Sequence, residues 1–279
     1  MNSPLVSIII ATKNEEGNIE NCLKSILCQT YPRDKIEIIV VDNNSADNTK
    51  KISQKYADKI FNKGPERSAQ RNFGAKQAKG EYYLYLDADM ILSQDVIAEC
   101  VKKFKKWDLK TGNSKLAALY IPEIVTGNNF WSKVRRFERS FYNATVIDCV
   151  RFVKMKNFLA VGGFDETMSG PEDWDFDKKI RNLAKADIIK SIIYHNEGKF
   201  NLGKYLRKKK YYAKNFDIYI NKWGGNDADV KKQFGLWYRY CGVFIEDEKW
   251  KKLLAHPILT IGTYFLRGLV GMQYLIKKK

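Results

Sequence analysis

Residues 5–42 read LVSIIIATKNEEGNIENCLKSILCQTYPRDKIEIIVVD, and the succession of periodicities in this stretch decides the fold. Val6 to Ile10 is a short apolar run rich in β-branched residues, the pattern of a strand buried on both faces of a parallel sheet. Between Glu15 and Cys28, residues Ile19, Cys22, Leu23, Ile26 and Leu27 fall at helical spacing, and Tyr31-Pro32 ends the pattern. Ile36 to Val41 is a second buried strand. Strand, helix and strand in this order predict a right-handed parallel crossover, with the loops after each strand gathered at one edge of the sheet.

The alternation continues through a helix around Asn48 to Tyr56, a short strand near Ile60, a helix around Glu66 to Ala78 and a strand from Tyr82 to Leu86. Val96, Ile97, Cys100, Val101 and Phe104 mark another helix, and Leu116 to Ile121 another strand. Regularity then weakens until Phe152 to Met155, so the middle is expected to hold a long, partly helical excursion containing Trp131 and Phe137. Beyond His195 the sequence turns to aromatic, lysine-rich helices such as Tyr205 to Tyr219. The expected organisation is an α/β domain over 1–200, with halves at about 1–92 and 115–200, and a helical region over 201–279.

The 279 residues carry 49 Lys and Arg against 32 Asp and Glu, a net charge of +17. This excess suits phosphate-rich partners, whether nucleotides, anionic lipid headgroups or nucleic acid. The lysines are spread along the chain without interleaved glycines and aromatics, so no nucleic acid partner is expected. With 44% apolar and 13% aromatic residues the chain can build a packed core, which excludes a disordered protein. Cysteines at 22, 28, 100, 149 and 241 form no CxxC pair, so neither a disulfide framework nor a zinc site is expected, and a cytoplasmic setting fits. The opening MNSPLVSIII has no basic leader or small-residue cleavage site, which points the same way.

Asp87-Ala88-Asp89, at the end of a buried strand, carries the strongest chemical signal. Alternate side chains on an extended stretch can set two carboxylates around one divalent ion, and oxygen ligands select Mg²⁺ or Mn²⁺. An ion that holds a diphosphate stabilises the charge developing as a nucleotide leaves a sugar. Taken alone the tripeptide is more often a solvated turn.

Three ordered segments give it context: SIIIATKNEEGNIENCLKSILCQTYP, IEIIVVDNNSADNT and RSAQRNFGAKQAKGEYYLYLDADM. In order, spacing and residue type they resemble the nucleotide-binding half of the family 2 glycosyltransferases over roughly residues 5 to 92. The likeness returns at VGGFDETMSGPEDWDF, residues 161–176, which is similar to the family's acceptor-side loop and Glu-Asp base motif. The resemblance implies a GT-A fold, a Rossmann-like and mostly parallel sheet flanked by helices. It also implies a nucleotide-sugar donor and inversion at the anomeric carbon.

By position, Ala11, Thr12, Lys13 and Glu15 fall where the family's first loop contacts nucleoside and ribose, and Asp42 where an aspartate recognises base or ribose. Ala11 and Lys13 stand where proline and tyrosine are frequent, and Asn43 replaces the common second aspartate, which leaves the donor open between UDP- and GDP-linked sugars. Arg67 and Arg71 belong near the nucleotide, or are exposed helix cations. Asp87 faces ribose or metal, and Asp89 ligates the metal. Asp173 fits the family's general base, against the alternative of a helix N-cap before DWDFDKKIRNLA. Glu172 binds acceptor or orients Asp173. His195, expected at the end of an apolar strand from Ile188 to Tyr194, completes the metal or diphosphate site or is structural, and His256 is structural. Gly162-Gly163 lets the backbone approach the sugar or forms a plain turn, Asp165 accepts a hydroxyl, and Trp174 is a sugar platform or a core residue.

Two rivals remain: a nucleotidyltransferase, whose glycine-rich basic loop is missing from ATKNEEGN at 11–18, and a non-catalytic sugar-nucleotide or glycan-binding protein of the same fold. The expected acceptor is a glycan or lipid-linked glycan. Pro257 to Ile276 is long enough to span a bilayer, at about 20 residues, yet Arg267 lies in its middle. Flanked by Lys249, Lys251, Lys252 and 277–279, it is expected to lie on an anionic membrane surface, the alternative being a helix packed on protein.

Overall fold

A computed structural model describes residues 3–111, 116–198 and 200–277. The elements run β1 Val6–Thr12, α1 Ile19–Leu27, β2 Ile36–Asp42, α2 Thr49–Ser53, β3 Lys59–Asn62, α3 Arg67–Gln77 and β4 Tyr82–Asp87. They continue β5 Met90–Leu92, α4 Val96–Thr111, β6 Leu116–Tyr120, β7 Glu123–Val125, α5 Phe130–Arg139, β8 Phe152–Lys154, α6 Met155–Ala160, α7 Glu172–Leu183, β9 Lys185–Ile188 and β10 Ile193–His195.

Every residue of β1 and of β2 is buried, because helices cover both faces of the sheet. The two-residue period of the strand divides the core. Val6, Ile8 and Ile10 pack with Ile19, Cys22, Leu23 and Ile26 of α1 and with Val96, Ile97 and Phe104 of α4. Ile9 points the other way, into a cluster with Val41, Tyr83, Tyr85, Phe158 and Phe176. On that second face Gly74 brings α3 down onto the sheet: a Cβ there would meet Ile9 Cγ2 at 2.5 Å.

The main sheet has the order β3-β2-β1-β4-β8-β6-β9. β1 to β4 are parallel as expected, whereas β8 runs antiparallel to both β4 and β6. A second sheet, β5-β10-β7, was not anticipated, since three-residue strands are too short to show a period. The stretch 188–194 is not one strand. β9 ends at Ile188 and β10 begins at Ile193, and Glu99 accepts the backbone N–H groups of Lys190 and Ser191 at 2.8 Å each, so a side chain replaces the ladder there.

The C-terminal region is helical: α8 Leu202–Ala213, α9 Phe216–Trp223, α10 Ala228–Phe234, the single turn α11 Val243–Ile245, α12 Trp250–Ala255 and α13 Pro257–Lys277. It packs onto the α/β part through two apolar clusters. Phe137, Phe141 and Tyr142 meet Tyr238, Val243 and Phe244, and Met168 meets Tyr219 and Val230. Arg267, in the middle of α13, is buried against α5 and its C-terminal flank, 3.1 Å from Glu138 and hydrogen-bonded to the Tyr142 hydroxyl. The helix therefore packs on protein along that face. Ile258, Ile261, Phe265 and Met272 stay exposed on the other. Among the described residues no helix is long and apolar enough to cross a membrane. The cations expected at 277–279 lie outside the described side chains.

Candidate active site

The carboxyl ends of β1, β2 and β4 lie side by side, with Ala11 in register with Asp87 and Thr12 with Asp42. The chain steps from β1 to β2 and β3 on one side and then crosses from β3 to β4 on the other side of β1, the reversal of strand order that opens a crevice outside the strands' carboxyl ends. Ala11 and Thr12 are buried at its floor and Lys13 is exposed at its rim. The Thr12 hydroxyl has no partner. Asp42 is buried and holds the next loop, accepting the Ser45 hydroxyl at 2.5 Å and the Ser45 N–H at 2.8 Å. Glu15 is half-buried; burial pushes its carboxyl up, the Asn18 hydrogen bond opposes this, and the charges of Asp89 and Asp87 add to it. The first loop thus faces the two aspartates.

Arg67 and Arg71 are not exposed helix cations. Arg71 has no exposed surface, and its two terminal nitrogens reach Asp87 Oδ1 and Asp173 Oδ1 at 2.8 Å each, with the guanidinium 4.4 Å over the Tyr85 ring. One turn earlier, Arg67 lies 3.6 Å from Asp87 Oδ2 and 3.1 Å from Glu172 Oε1. The four-residue spacing on α3 sets the two guanidiniums one above the other, so a single helix ties the end of β4 to the start of α7. Burial alone would raise the Asp87 carboxyl, but Arg71 and Arg67 hold it well below the usual carboxylate range. Burial and the charge of Asp173 push Glu172 up instead.

Asp173 is not an N-cap. Pro171 occupies that position without a side-chain cap, and Asp173 stands in the first turn of α7, where the helix dipole favours a carboxylate. Its side chain keeps some exposure to the crevice.

Asp89 meets His195 because β5 and β10 pair with Met90 opposite His195. His195 Nε2 is 3.2 Å from Asp89 Oδ2, and Nδ1 is 3.7 Å from Glu123 Oε2. Burial would lower this imidazole, but hydrogen bonds to Asp89 and Glu123 push it up to about 10. Asp89 Oδ1 is buried without a hydrogen-bond partner. A bare carboxylate oxygen of this kind fits a hard divalent cation. The full set Asp87, Asp89 and His195 does not form ready-made ligands: Asp87 turns to the arginines and His195 to two carboxylates. No group of three His, Cys, Asp or Glu side chains placed to hold a metal ion occurs among the described residues. Mg²⁺ and Mn²⁺ tolerate this when substrate phosphates and water supply the other ligands.

For several of the residues expected on the acceptor side, the structural alternatives account for the side chain. Gly163 has φ +66°, and a Cβ there would meet Asn72 Oδ1 at 2.5 Å, so turn geometry and contact with α3 require glycine. Asp165 accepts the Thr167 hydroxyl at 2.6 Å and Lys222 Nζ at 2.7 Å. Trp174 stacks on Phe216 and donates its indole N–H to the Ile147 carbonyl at 3.0 Å, which engages it in packing rather than as an open sugar platform.

Three residues of the site went unread in the sequence. Glu123 is buried between Arg151 at 2.5 Å, Arg139 at 3.4 Å and His195. Arg151 is buried with it. Gln70 donates to the Thr12 and Val41 carbonyls at 3.0 and 2.6 Å, clamping the ends of β1 and β2. The available signal was a lone charge in an apolar run, at LYIPEIV and at CVRFV.

The comparisons agree with this architecture. The glycosyl transferase family 2 profile matches residues 7–152. Glycosyltransferase AglE of Haloferax volcanii is 39% identical over 93 residues, 31% of each chain. The poly-beta-1,6-N-acetyl-D-glucosamine synthase of Staphylococcus epidermidis is 30% identical over 198 residues, 68% of this chain and 41% of that protein. The chain spans between 31% and 57% of the length of the first curated relatives it matches. Among solved structures, the mannosyltransferase PcManGT from Pyrobaculum calidifontis, in complex with GDP-Man and Mn²⁺, superposes with a TM-score of 0.64 at 22% identity, covering 99% of this chain and 86% of that one. S. aureus TarS 1-349 in complex with UDP-GlcNAc gives 0.55 at 16% identity, covering 97% and 89%. These two share the GT-A fold with this chain. The profile spans just over half of the 279 residues, and on that match the chain belongs to glycosyl transferase family 2.

Proposed function

We propose that the chain transfers a sugar, with inversion, from a nucleoside diphosphate sugar to a hydroxyl of a glycan or lipid-linked glycan. The observation that carries this reading is the buried Arg71 guanidinium, which bridges the nucleotide-side Asp87 to the candidate base Asp173. Donor and acceptor machinery then meet across one side chain. The first loop with Asp42 receives the nucleoside, which is a uridine or guanosine on the precedent of the UDP-GlcNAc and GDP-Man complexes. Asp89 would hold Mn²⁺ or Mg²⁺ through its unpartnered oxygen, and the chemistry such an ion would supply is neutralisation of the charge on the departing diphosphate.

Asp173 uses one oxygen on Arg71 and offers the other to the acceptor. The acceptor hydroxyl oxygen bonds to the anomeric carbon as its proton passes to Asp173. The bond from that carbon to the diphosphate oxygen breaks, and its electron pair leaves with the nucleoside diphosphate. Glu172, fixed by Arg67, keeps the start of α7 in place.

The exposed row Ile258, Ile261 and Phe265 recurs at helical spacing on α13, and Leu254 and Trp250 on α12 are exposed as well. We read this as an apolar face for peripheral attachment to an anionic membrane on the cytoplasmic side, close to a lipid-linked acceptor. A panel of UDP- and GDP-sugars, assayed for released nucleoside diphosphate with and without Mn²⁺, tests the transfer reading. Release from one donor class with Mn²⁺ is expected, and no release from any member of the panel overturns it.

A further inference from the structure

Beside Arg67, a cleft of about 440 Å³ opens between α8 and the turn that leads into α7. Its volume falls in the range of small-molecule sites. Lys204, Arg207, Lys208, Tyr211 and Tyr212 recur on α8 at steps of three and four, so one stripe of that helix faces the cleft. Ser169, from the acceptor-side turn, forms the opposite wall.

The charges of this wall are unbalanced. Glu66 contributes one negative charge and accepts the Ser169 hydroxyl at 2.8 Å and the Tyr211 hydroxyl, so the cations outnumber it. Arg67 is neutralised by Asp87 and Glu172. Lys204, Arg207 and Lys208 form no ion pair at contact distance with any described residue. The Tyr212 hydroxyl accepts from Arg67 at 3.1 Å and so keeps its own proton to donate. Lys204 and Arg207 without an ion-pair partner, Lys208 5.8 Å over the Tyr212 ring, and a hydroxyl proton together recognise a dianionic oxygen group.

The cleft adjoins the donor side, since Arg67 in its wall contacts Asp87 and the charge of Lys204 acts on Glu15 of the first loop. It also touches the turn ending in Glu172, through Ser169 and through Tyr212 packed against Gly170, where a Cβ would come within 2.6 Å of Tyr212 Cβ. That turn belongs to the segment expected to meet the acceptor, so an anion in the cleft can be the acceptor's.

We infer that this cleft holds a phosphate of the acceptor, so the acceptor is a phosphorylated compound whose free hydroxyl receives the sugar; this rests on the sugar-transfer reading for the direction of approach. The probe is sn-glycerol 3-phosphate, titrated by calorimetry into the full chain with Mn²⁺ and saturating UDP or GDP, with glycerol as the uncharged control. Wild type and the double variant Arg207→Ala, Lys208→Ala are compared. Both positions are exposed, where substitutions leave stability nearly untouched. The expected result is glycerol phosphate binding that persists beside the nucleotide and weakens on the order of tenfold or more in the variant, with nucleotide affinity unchanged. Equal affinity in both proteins overturns the site. Displacement of glycerol phosphate by nucleotide also overturns it, because the anion would then belong to the donor. Should neither nucleotide bind, the sugar-transfer reading fails, while the same titration without nucleotide still decides the cleft.

Discussion

Asp173 lies 2.8 Å from Arg71, a residue 102 positions earlier whose side chain has no exposed surface and whose other nitrogen holds Asp87. An arginine in that position does what a lysine cannot, since a planar fork can grip two separate carboxylates at once. Arg71→Lys keeps the charge and loses the bridge. We expect transfer to fall at least ~100-fold and stability to fall by about 3 kcal/mol, as for other broken buried pairs. Steady-state kinetics alongside denaturant unfolding measure both, and near-normal turnover would remove Arg71 from the centre of the site.

Asp173→Asn retains the size of the side chain and cannot take the proton. Turnover should drop by roughly two orders of magnitude or more, while the nucleoside diphosphate binds as before. The check is a pair of numbers, kcat and the nucleotide Kd. A collapse of nucleotide affinity would move Asp173 to the donor site.

His195→Ala frees both oxygens of Asp89 but removes the partner that orients them at 3.2 Å. Nucleotide affinity in Mn²⁺ should weaken about tenfold, the usual effect of losing a group that orients a metal ligand, with little change in its absence. Equal affinities in Mn²⁺ would leave His195 as a structural residue.

The two faces of α13 should separate in experiment. Ile258→Glu with Ile261→Glu changes exposed positions, so it should reduce co-sedimentation with anionic vesicles while the melting temperature holds. Arg267→Met removes one of the two arginines on Glu138, which keeps Arg135 and the Tyr142 hydroxyl, and should cost about 1–3 kcal/mol in unfolding experiments for the lost charged hydrogen bonds while leaving vesicle binding intact. Unaltered vesicle binding in the double glutamate variant would exclude the membrane role of this face.

The parts of this fold that were legible in the sequence are those whose burial repeats. β1, β2 and β4 are continuous apolar runs, and α1 has a regular face, so their order and crossovers followed. Asp87 and Asp89 were legible because they end such a run. What escaped depends on side chains far apart in sequence. Arg67 and Arg71 look like surface cations until Glu172 and Asp173, about a hundred residues later, fold over them. Arg267 pairs with Glu138 across a separation of 129 residues. Strands of three residues, β5, β7 and β10, have no period to read, yet they bring His195 beside Asp89.

The most direct test of metal-assisted sugar transfer is the rate of nucleoside diphosphate release from the preferred donor, compared between wild type and Asp89→Asn with Mn²⁺ and with excess chelator. Asp89 sits on a loop with one oxygen unpartnered, so the substitution should leave the fold intact. The account predicts release by wild type in Mn²⁺, and loss of that release both on chelation and in the variant. Wild-type release that continues in excess chelator, or a variant as active as wild type, would contradict it.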